Sequence, residues 1–396
     1  MSAGPPLAIV TTRRFHWIAW HATQEAVRRG RAVESFLADD PGELERLEKA
    51  AGAGELFGAL FVTIHPLVAR GGDAALARLA AGGLPVVVWN VDSPAIVWRT
   101  LPHANDAIGI VHVSESDARF WSDCVSRAQV CSFTQGIGPH GQVFEHRPPP
   151  LPIAKRPIGV LVPMNLRWCS RTLEEVDAMA RALQPGARRV FEHAAESCRA
   201  DPRAGAAEAV RAALEAEGVH LPDTALRQLV RLVVYHAHLW RRERLLDVLL
   251  DQPVTIDSND LPERLLRGRA PRATLLRESD PRRTVERTAL SRAVVSTSFS
   301  PDLLHDRPLN AALLGAAALA ERNRIFPRWF EDRTSVLYFD YTRESIEAAV
   351  ETALGDAVRV QEIADAAREL VAGPCIDYRW HVLLDAVEWL AERALR

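Results

Sequence analysis

AVVSTSFSPDLLHDRPLNAALLGAAALAERNRIFPRWFEDRTSVLYFD, from Ala293 to Asp340, is the stretch whose pattern decides the fold. AVVST and SVLYF are apolar, β-branched runs of strand length. Between them Arg307-Pro308-Leu309-Asn310 opens a helix, with Pro308 in the first turn, where a missing N–H is tolerated. The stretch reads as strand, loop, helix, second strand, short break and third strand. Gly315 followed by Ala316-Ala317-Ala318 gives the helix a small-residue face that lets it lie close to a neighbour. A helix N-terminus beside a strand's carboxyl end is an anion site in an open α/β sheet. An ordinary α/β packing unit is the plainer alternative.

Working outward, the first 140 residues alternate the same two elements. LAIVTT, AVESFLA, GALFVTIHP, PVVVWNVDSP, AIGIVHVS and AQVCSF read as six strands. WHATQEAVRRG, PGELERLEKA, DAALARLAAGG and SDARFWSDCV read as helices between them. That alternation implies right-handed crossovers and a mainly parallel sheet covered on both faces. HRPPPLPIAKRP, residues 146–157, is a stiff, extended linker. PIGVLVPMN then begins a second α/β unit, residues 171–250 are mostly helical, PVTIDS and ATLLRE are strands around a loop, and helices fill 343–396. The expected division is 1–146 as a Rossmann-like N-terminal domain, 147–157 as linker, 158–375 as a C-terminal domain with a helical insert at 187–250, and 376–396 as a helix packing back on the first domain. The two α/β domains face each other across a cleft in this reading, with ligands at the carboxyl ends of the strands.

The totals bound what such a cleft can hold. The chain has 396 residues, 48% of them hydrophobic and 25% charged, which suits two soluble domains with ample core. A net charge of −3 provides no global field to recruit nucleic acid or an anionic membrane. Lys49 and Lys155 are the only lysines among the 48 basic residues, so any phosphate contact falls to arginine or to backbone N–H groups. Cys124, Cys131, Cys169, Cys198 and Cys375 are scattered and form no CxxC, which reads as reduced thiols in a cytoplasmic protein. No apolar run is long enough to span a bilayer, and the first turn, TTRRFH, lacks the GxGxxG of a dinucleotide dehydrogenase. His236 and His238 are two apart on a helix and face different ways, so no metal site is assigned. Trp17, Trp20, Trp89, Trp98 and Trp121 are read mainly as core.

Four groups converge at the expected cleft. Asp302 and Asn310, eight apart, could bracket a polar ligand, while Arg307 and the helix start suit a diphosphate; Asp302 and Asp306 could instead simply cap the helix. Asn165 and Arg167 follow the first strand after the linker, either reaching into the cleft or forming a turn. Asp92 ends the fourth strand as a base, as a ligand for a sugar hydroxyl, or as a turn starter before Ser93-Pro94. Arg13, Arg14 and His16 lie in the first turn, and His16, of a residue type suited to acid–base catalysis, is either functional or incidental.

Residues 230–390 resemble the nucleotide-sugar-dependent glycosyltransferases of GT-B fold, group 1 type, and look closest to the spore-maturation-protein branch. The resemblance rests on RRERLLDVLLDQPVTID, on the helix Arg307 to Ala316, on Leu319-Ala320-Glu321-Arg322-Asn323, on FPRWFEDRTSVLYFD, and on EIADAARELV followed by Asp377-Tyr378-Arg379. It implies that Asp302 and Asn310 occupy the family's paired-glutamate positions, Asp302 near the donor sugar and Asn310 at the nucleotide ribose. It also implies leaving-diphosphate stabilisation by helix N–H groups and Arg307 without a metal, donor contacts from Asn165 and Arg167, and an acceptor base in the first domain, Asp92 before His16. The substrates implied are a nucleotide sugar and an acceptor that is a protein, a glycan or a small molecule. A sugar-nucleotide epimerase of the same fold would convert the donor with no acceptor added. A non-catalytic assembly protein, favoured by Asn310 where the family has glutamate, would show exposed apolar residues on the helical insert and bind no nucleotide.

Overall fold

The computed structural model describes residues 4–13, 16–62, 72–97, 108–125, 131–139, 141, 143, 150–166, 171–277, 281–374 and 376–394. Arg14, Trp98, Arg167, Cys169, Cys375 and much of the proline linker lie outside them. The chain divides into two compact units, residues 1–141 with 378–396, and residues 142–377.

Unit 1 contains six parallel strands: β1 Leu7–Thr11, β2 Val33–Leu37, β3 Gly58–Val62, β4 Val86–Asn90, β5 Ile108–His112 and β6 Cys131–Phe133. They lie in the order β2-β1-β3-β4-β5-β6, so the strand order reverses between β1 and β3. β1, β3, β4 and β5 are buried along their whole length, as expected of a sheet with helices on both faces. The helix His16–Arg28 begins earlier than the periodicity from Trp20 suggests and places His16 at its first position. The last helix, His381–Ala394, belongs to this unit and buries Val382, Leu383, Leu384, Val387 and Leu390. It comes so close to β3 that a Cβ on Gly58 would stand 2.5 Å from a Val387 methyl.

Unit 2 contains a second parallel sheet: β7 Ile158–Pro163, β8 Thr255–Asp257, β9 Thr274–Leu276, β10 Ser291–Ser296, β11 Ala317–Glu321 and β12 Leu337–Phe339. The order is β12-β11-β10-β7-β8-β9, with the reversal between β7 and β10. Two Rossmann-like α/β units are therefore present, as the alternation of elements implies. Between β7 and β8 the chain forms four helices among the described residues, Leu173–Arg181, Pro185–Ala200, Ala206–Glu217 and Asp223–Leu249. The first is closed by a capping box between Thr172 and Glu175. No described helix is long and apolar enough to cross a membrane.

One detail of the opening stretch is corrected. The helix there is Asp306–Leu313, and Ala317-Ala318 belong to β11 rather than to a small-residue helix face. Gly315 ends the helix in the left-handed region at φ 71°, and the Ala316 N–H closes back on the Ala311 carbonyl at 2.8 Å. The tight turn sits on Arg156, whose buried guanidinium donates to the carbonyls of Leu151, Ser291 and Leu314, each at 2.8 Å. This arginine satisfies three carbonyls from three segments, and burial lowers its pKa to about 10.

Candidate functional site

Open α/β sheets bind ligands where the strand order reverses, outside the carboxyl ends of the strands. In unit 2 that point lies between β7 and β10. Met164, Asn165 and Leu166 follow β7, and Thr297 to His305 follow β10. Asn165 turns with support from the loop after β8: its Oδ1 accepts from the Asn259 N–H at 3.3 Å, and the Leu166 N–H donates to Asp260 at 2.7 Å. The Asn165 carbonyl accepts from Arg242 Nη1 at 2.7 Å.

Arg242 stands on the helix Asp223–Leu249 and is 8% exposed. Its pKa falls to about 9, first through burial and then through repulsion from Arg307. Arg307 is itself half-buried and is likewise pushed down by burial, with Asp306 pulling the other way. Arg307 Nη1 and Arg242 Nε are closed to water and have no hydrogen-bond partner among the described residues. Two mutually repelling guanidiniums with unsatisfied buried donors are costly, and an anion would relieve both terms at once.

The helix start contributes less than the sequence suggests. His305 is its N-cap, accepting from the Arg307 N–H at 3.3 Å, so neither Asp302 nor Asp306 has that role. Pro308 has no N–H to offer, and Asp306, 2.7 Å from His305, places a negative charge at the first helical position. The cationic resource is thus the guanidinium pair rather than the dipole. Asp302 accepts from Ser300 Oγ at 3.0 Å. Asn310 is 6% exposed and donates to Asp306 at 3.4 Å, one turn back on the same helix. Asn165 and Arg307 meet around Arg242; Arg167 lies outside the described residues.

Glu321, at the carboxyl end of β11, is 3% exposed and bonds to the Ser298 N–H at 2.5 Å and to the Tyr341 hydroxyl. Arg241 lies opposite and donates to the carbonyls of Cys198 at 2.5 Å and Asp201 at 3.2 Å. In the sequence, Arg242 and Glu321 have no role beyond their places in RRERLLDVLLDQPVTID and Leu319–Asn323, and Tyr341 has none. The signal for Arg242 was its place in the long arginine-rich helix, where nothing in the spacing marks which arginine turns inward.

In unit 1, Asp92 is half-buried just beyond β4, its N–H donating to Asn90 Oδ1 at 3.3 Å. Asn90 Nδ2 in turn donates to the Asp92 carbonyl at 2.7 Å and lies 3.1 Å from His112 Nδ1. His16 is exposed, with Nδ1 2.8 Å from the Arg13 carbonyl, and Arg13 is paired with Asp40 at 3.2 Å. His112, absent from the sequence reading, is fully buried, and burial depresses its pKa to about 3. The unfolded chain therefore takes up a proton near pH 6.5 that the folded one refuses, so this group removes stability as pH falls from 6.5 towards 3. The slope is about 1.4 kcal/mol per pH unit. Urea unfolding at pH 7 and pH 5 is expected to show His112→Asn losing about 2 kcal/mol less than the wild type over that interval. Equal losses would show that His112 is not the acid-sensitive group.

Among the described residues no group of His, Cys, Asp and Glu has the makings of a metal site. Trp89 and Trp121 are fully buried core. Cys124 and Cys198 are buried and Cys131 is half-buried.

No family model matches the chain, and no curated protein matches it. Among solved structures it is similar to sucrose-phosphate synthase from Thermosynechococcus elongatus, at 10% identity over 97% of this chain and 98% of that one, with a TM-score of 0.48. It is similar to HepE from Anabaena, solved with UDP and glucose, at 11% identity over 98% of each chain and a TM-score of 0.46. It is also similar to WaaG, a glycosyltransferase involved in lipopolysaccharide biosynthesis, at 10% identity over 97% of this chain and 99% of that one, with a TM-score of 0.44.

Proposed function

We propose that this chain is a glycosyltransferase, related to the spore-maturation-protein branch, that moves a sugar from a nucleoside diphosphate sugar to a protein, glycan or small-molecule acceptor. The observation that carries the reading is the pair Arg242 and Arg307 beside the β7/β10 reversal: Arg242 Nε and Arg307 Nη1 are closed to water and have no hydrogen-bond partner among the described residues. Transfer demands above all that the departing diphosphate be stabilised, and two buried guanidiniums beside the strand-order reversal supply that charge. The reading needs no metal. Asp92 in unit 1 takes the acceptor proton, with His16 as the second candidate, and Asp302, Asn310, Asn165 and Arg167 complete the donor side.

The non-catalytic alternative called for exposed apolar residues on the helical insert. Within residues 187–250 no large hydrophobic side chain is exposed.

The test is a thermal-shift panel of UDP, GDP, CDP, ADP, dTDP and their sugars, run in the presence of EDTA. One nucleotide class is expected to stabilise the protein, by about 2.7 kcal/mol at a hundredfold excess over its Kd. A flat response to every ligand at millimolar concentration would remove the donor site and the function with it.

A further inference from the structure

The segment between β10 and Arg307 is held from one side by residues at and just beyond the end of β11. The Ser298 N–H donates to Glu321 Oε1 at 2.5 Å, the Arg324 N–H to the Pro301 carbonyl at 2.7 Å, and Asn323 Nδ2 to the Leu303 carbonyl at 3.1 Å. Ser298 is held through its N–H, its carbonyl and its hydroxyl. Its carbonyl lies 3.3 Å from His238 Nδ1, and its hydroxyl donates to the Ser300 carbonyl at 2.8 Å. Of the three attachments, only the one at Ser298 uses a charged group. Glu321 Oε2 meanwhile accepts from Tyr341, which follows β12, so one carboxylate joins the ends of three neighbouring strands.

The charges around it have a consistent arrangement. Burial pushes the Glu321 pKa up, while Arg241 pulls it back towards the ionised form; the Arg241 guanidinium lies 5.7 Å from the Tyr341 ring. Arg241 is thereby occupied with Glu321 and with the carbonyls of Cys198 and Asp201. Its neighbour Arg242 turns instead to the Asn165 carbonyl. A buried carboxylate that accepts a backbone N–H and a hydroxyl is worth more than a neutral acceptor, because both bonds are charge-assisted.

We propose that Glu321 is a positioning residue of the anion site: it fixes the Ser298–Leu303 segment that leads to Arg307 and holds Arg241 back, leaving Arg242 and Arg307 to the ligand. The proposal rests on the anion-site reading given above. Glu321 does not touch the ligand in this account, and its effect passes through the segment.

The experiment compares Glu321→Ala, Glu321→Gln and Tyr341→Phe in the full chain with two readouts. The first is amide hydrogen exchange of residues 298–303 without ligand. The second is calorimetric affinity for inorganic pyrophosphate and for the nucleoside diphosphate that the panel selects. Glu321→Ala is expected to speed exchange in that segment and to weaken both ligands tenfold or more. Glu321→Gln keeps an acceptor for Ser298 but no charge to attract Arg241, so it keeps exchange near the wild-type rate and binds with an affinity between those of the wild type and Glu321→Ala. Tyr341→Phe removes one of the two partners and falls between them. Normal exchange and affinity in a folded Glu321→Ala overturn the proposal, as does Glu321→Gln as impaired as the alanine variant. If Glu321→Ala does not fold, Glu321→Gln and Tyr341→Phe decide between the same outcomes. If the wild type binds neither pyrophosphate nor any nucleotide, the anion reading fails separately, and the exchange data alone decide whether Glu321 fixes the segment.

Discussion

Arg307→Ala is expected to weaken nucleoside diphosphate binding by about 2–4 kcal/mol, a drop in affinity of roughly 30- to 700-fold, measured by calorimetry. The size follows from burial. Arg307 Nη1 is closed to water, so a bond from it to a phosphate oxygen would be charge-assisted and little screened. The unliganded protein is expected to behave differently. Burial and the neighbouring Arg242 both oppose charge at this point, so removing one guanidinium relieves repulsion in the empty site. The melting temperature without ligand is not lowered, while the ligand-induced rise is lost. Asp92→Asn is the complementary variant: binding stays within threefold and turnover falls by a hundredfold or more, since a general base contributes about that much. An Arg307→Ala protein that binds nucleotide normally would remove this placement of the donor, and a fully active Asp92→Asn would remove the base.

The second large effect lies in the scaffold beneath that site. Gly315→Ala is expected to destabilise the protein by about 3–5 kcal/mol, lowering Tm by roughly 10 °C for a unit of this size. Two costs combine. Gly315 has φ 71°, which costs an L-residue about 1–2 kcal/mol. A Cβ there would also stand 2.6 Å from Pro150 Cβ and 2.9 Å from Arg156 Nη2. Displacing Arg156 releases the carbonyls of Leu151, Ser291 and Leu314, and each buried acceptor left alone costs about 1–3 kcal/mol. Arg156→Lys is expected to lose nearly as much, because an ammonium group cannot fork to three carbonyls at these positions. Thermal unfolding followed by circular dichroism checks both variants, and a loss below 3 °C in each would show that the turn does not depend on this contact.

The strands were legible because parallel, doubly covered strands are written as near-continuous apolar runs, and VVVWN and GALFV have no other reading. Gly315 was visible too, but its meaning was not. Alanines suit both a close helix contact and a buried strand, and only the pairing of Ala317 and Ala318 with Ala293 and Val294 decides for β11. At the site, Arg307 stood out because a helix start after a strand is a local signal. Arg242 did not, since inward and outward arginines on a 27-residue helix differ only in what packs around them. His305 was missed as a cap because an Asp lies beside it, and Asp is the commoner N-cap residue. His112 closed a strand as one polar residue after an apolar run, and its total burial depends on Trp121 and Asn90, which are distant in sequence.

The helix His381–Ala394 completes unit 1, although residues 142–377 separate it from the rest of that unit. During synthesis the order of completion is therefore inverted. Unit 2 has all of its residues while unit 1 still lacks the cover for β3. At about 5–20 residues per second, the first six strands wait roughly ten to fifty seconds for their last helix. Over that interval Gly58 and its neighbours on β3 present an apolar face with nothing yet made to cover it. A ribosome that stalls or terminates late would release a chain with a finished second unit and an unfinished first one. For this chain the early-made half, rather than the late-made one, is the part that needs protection from aggregation while it is being made.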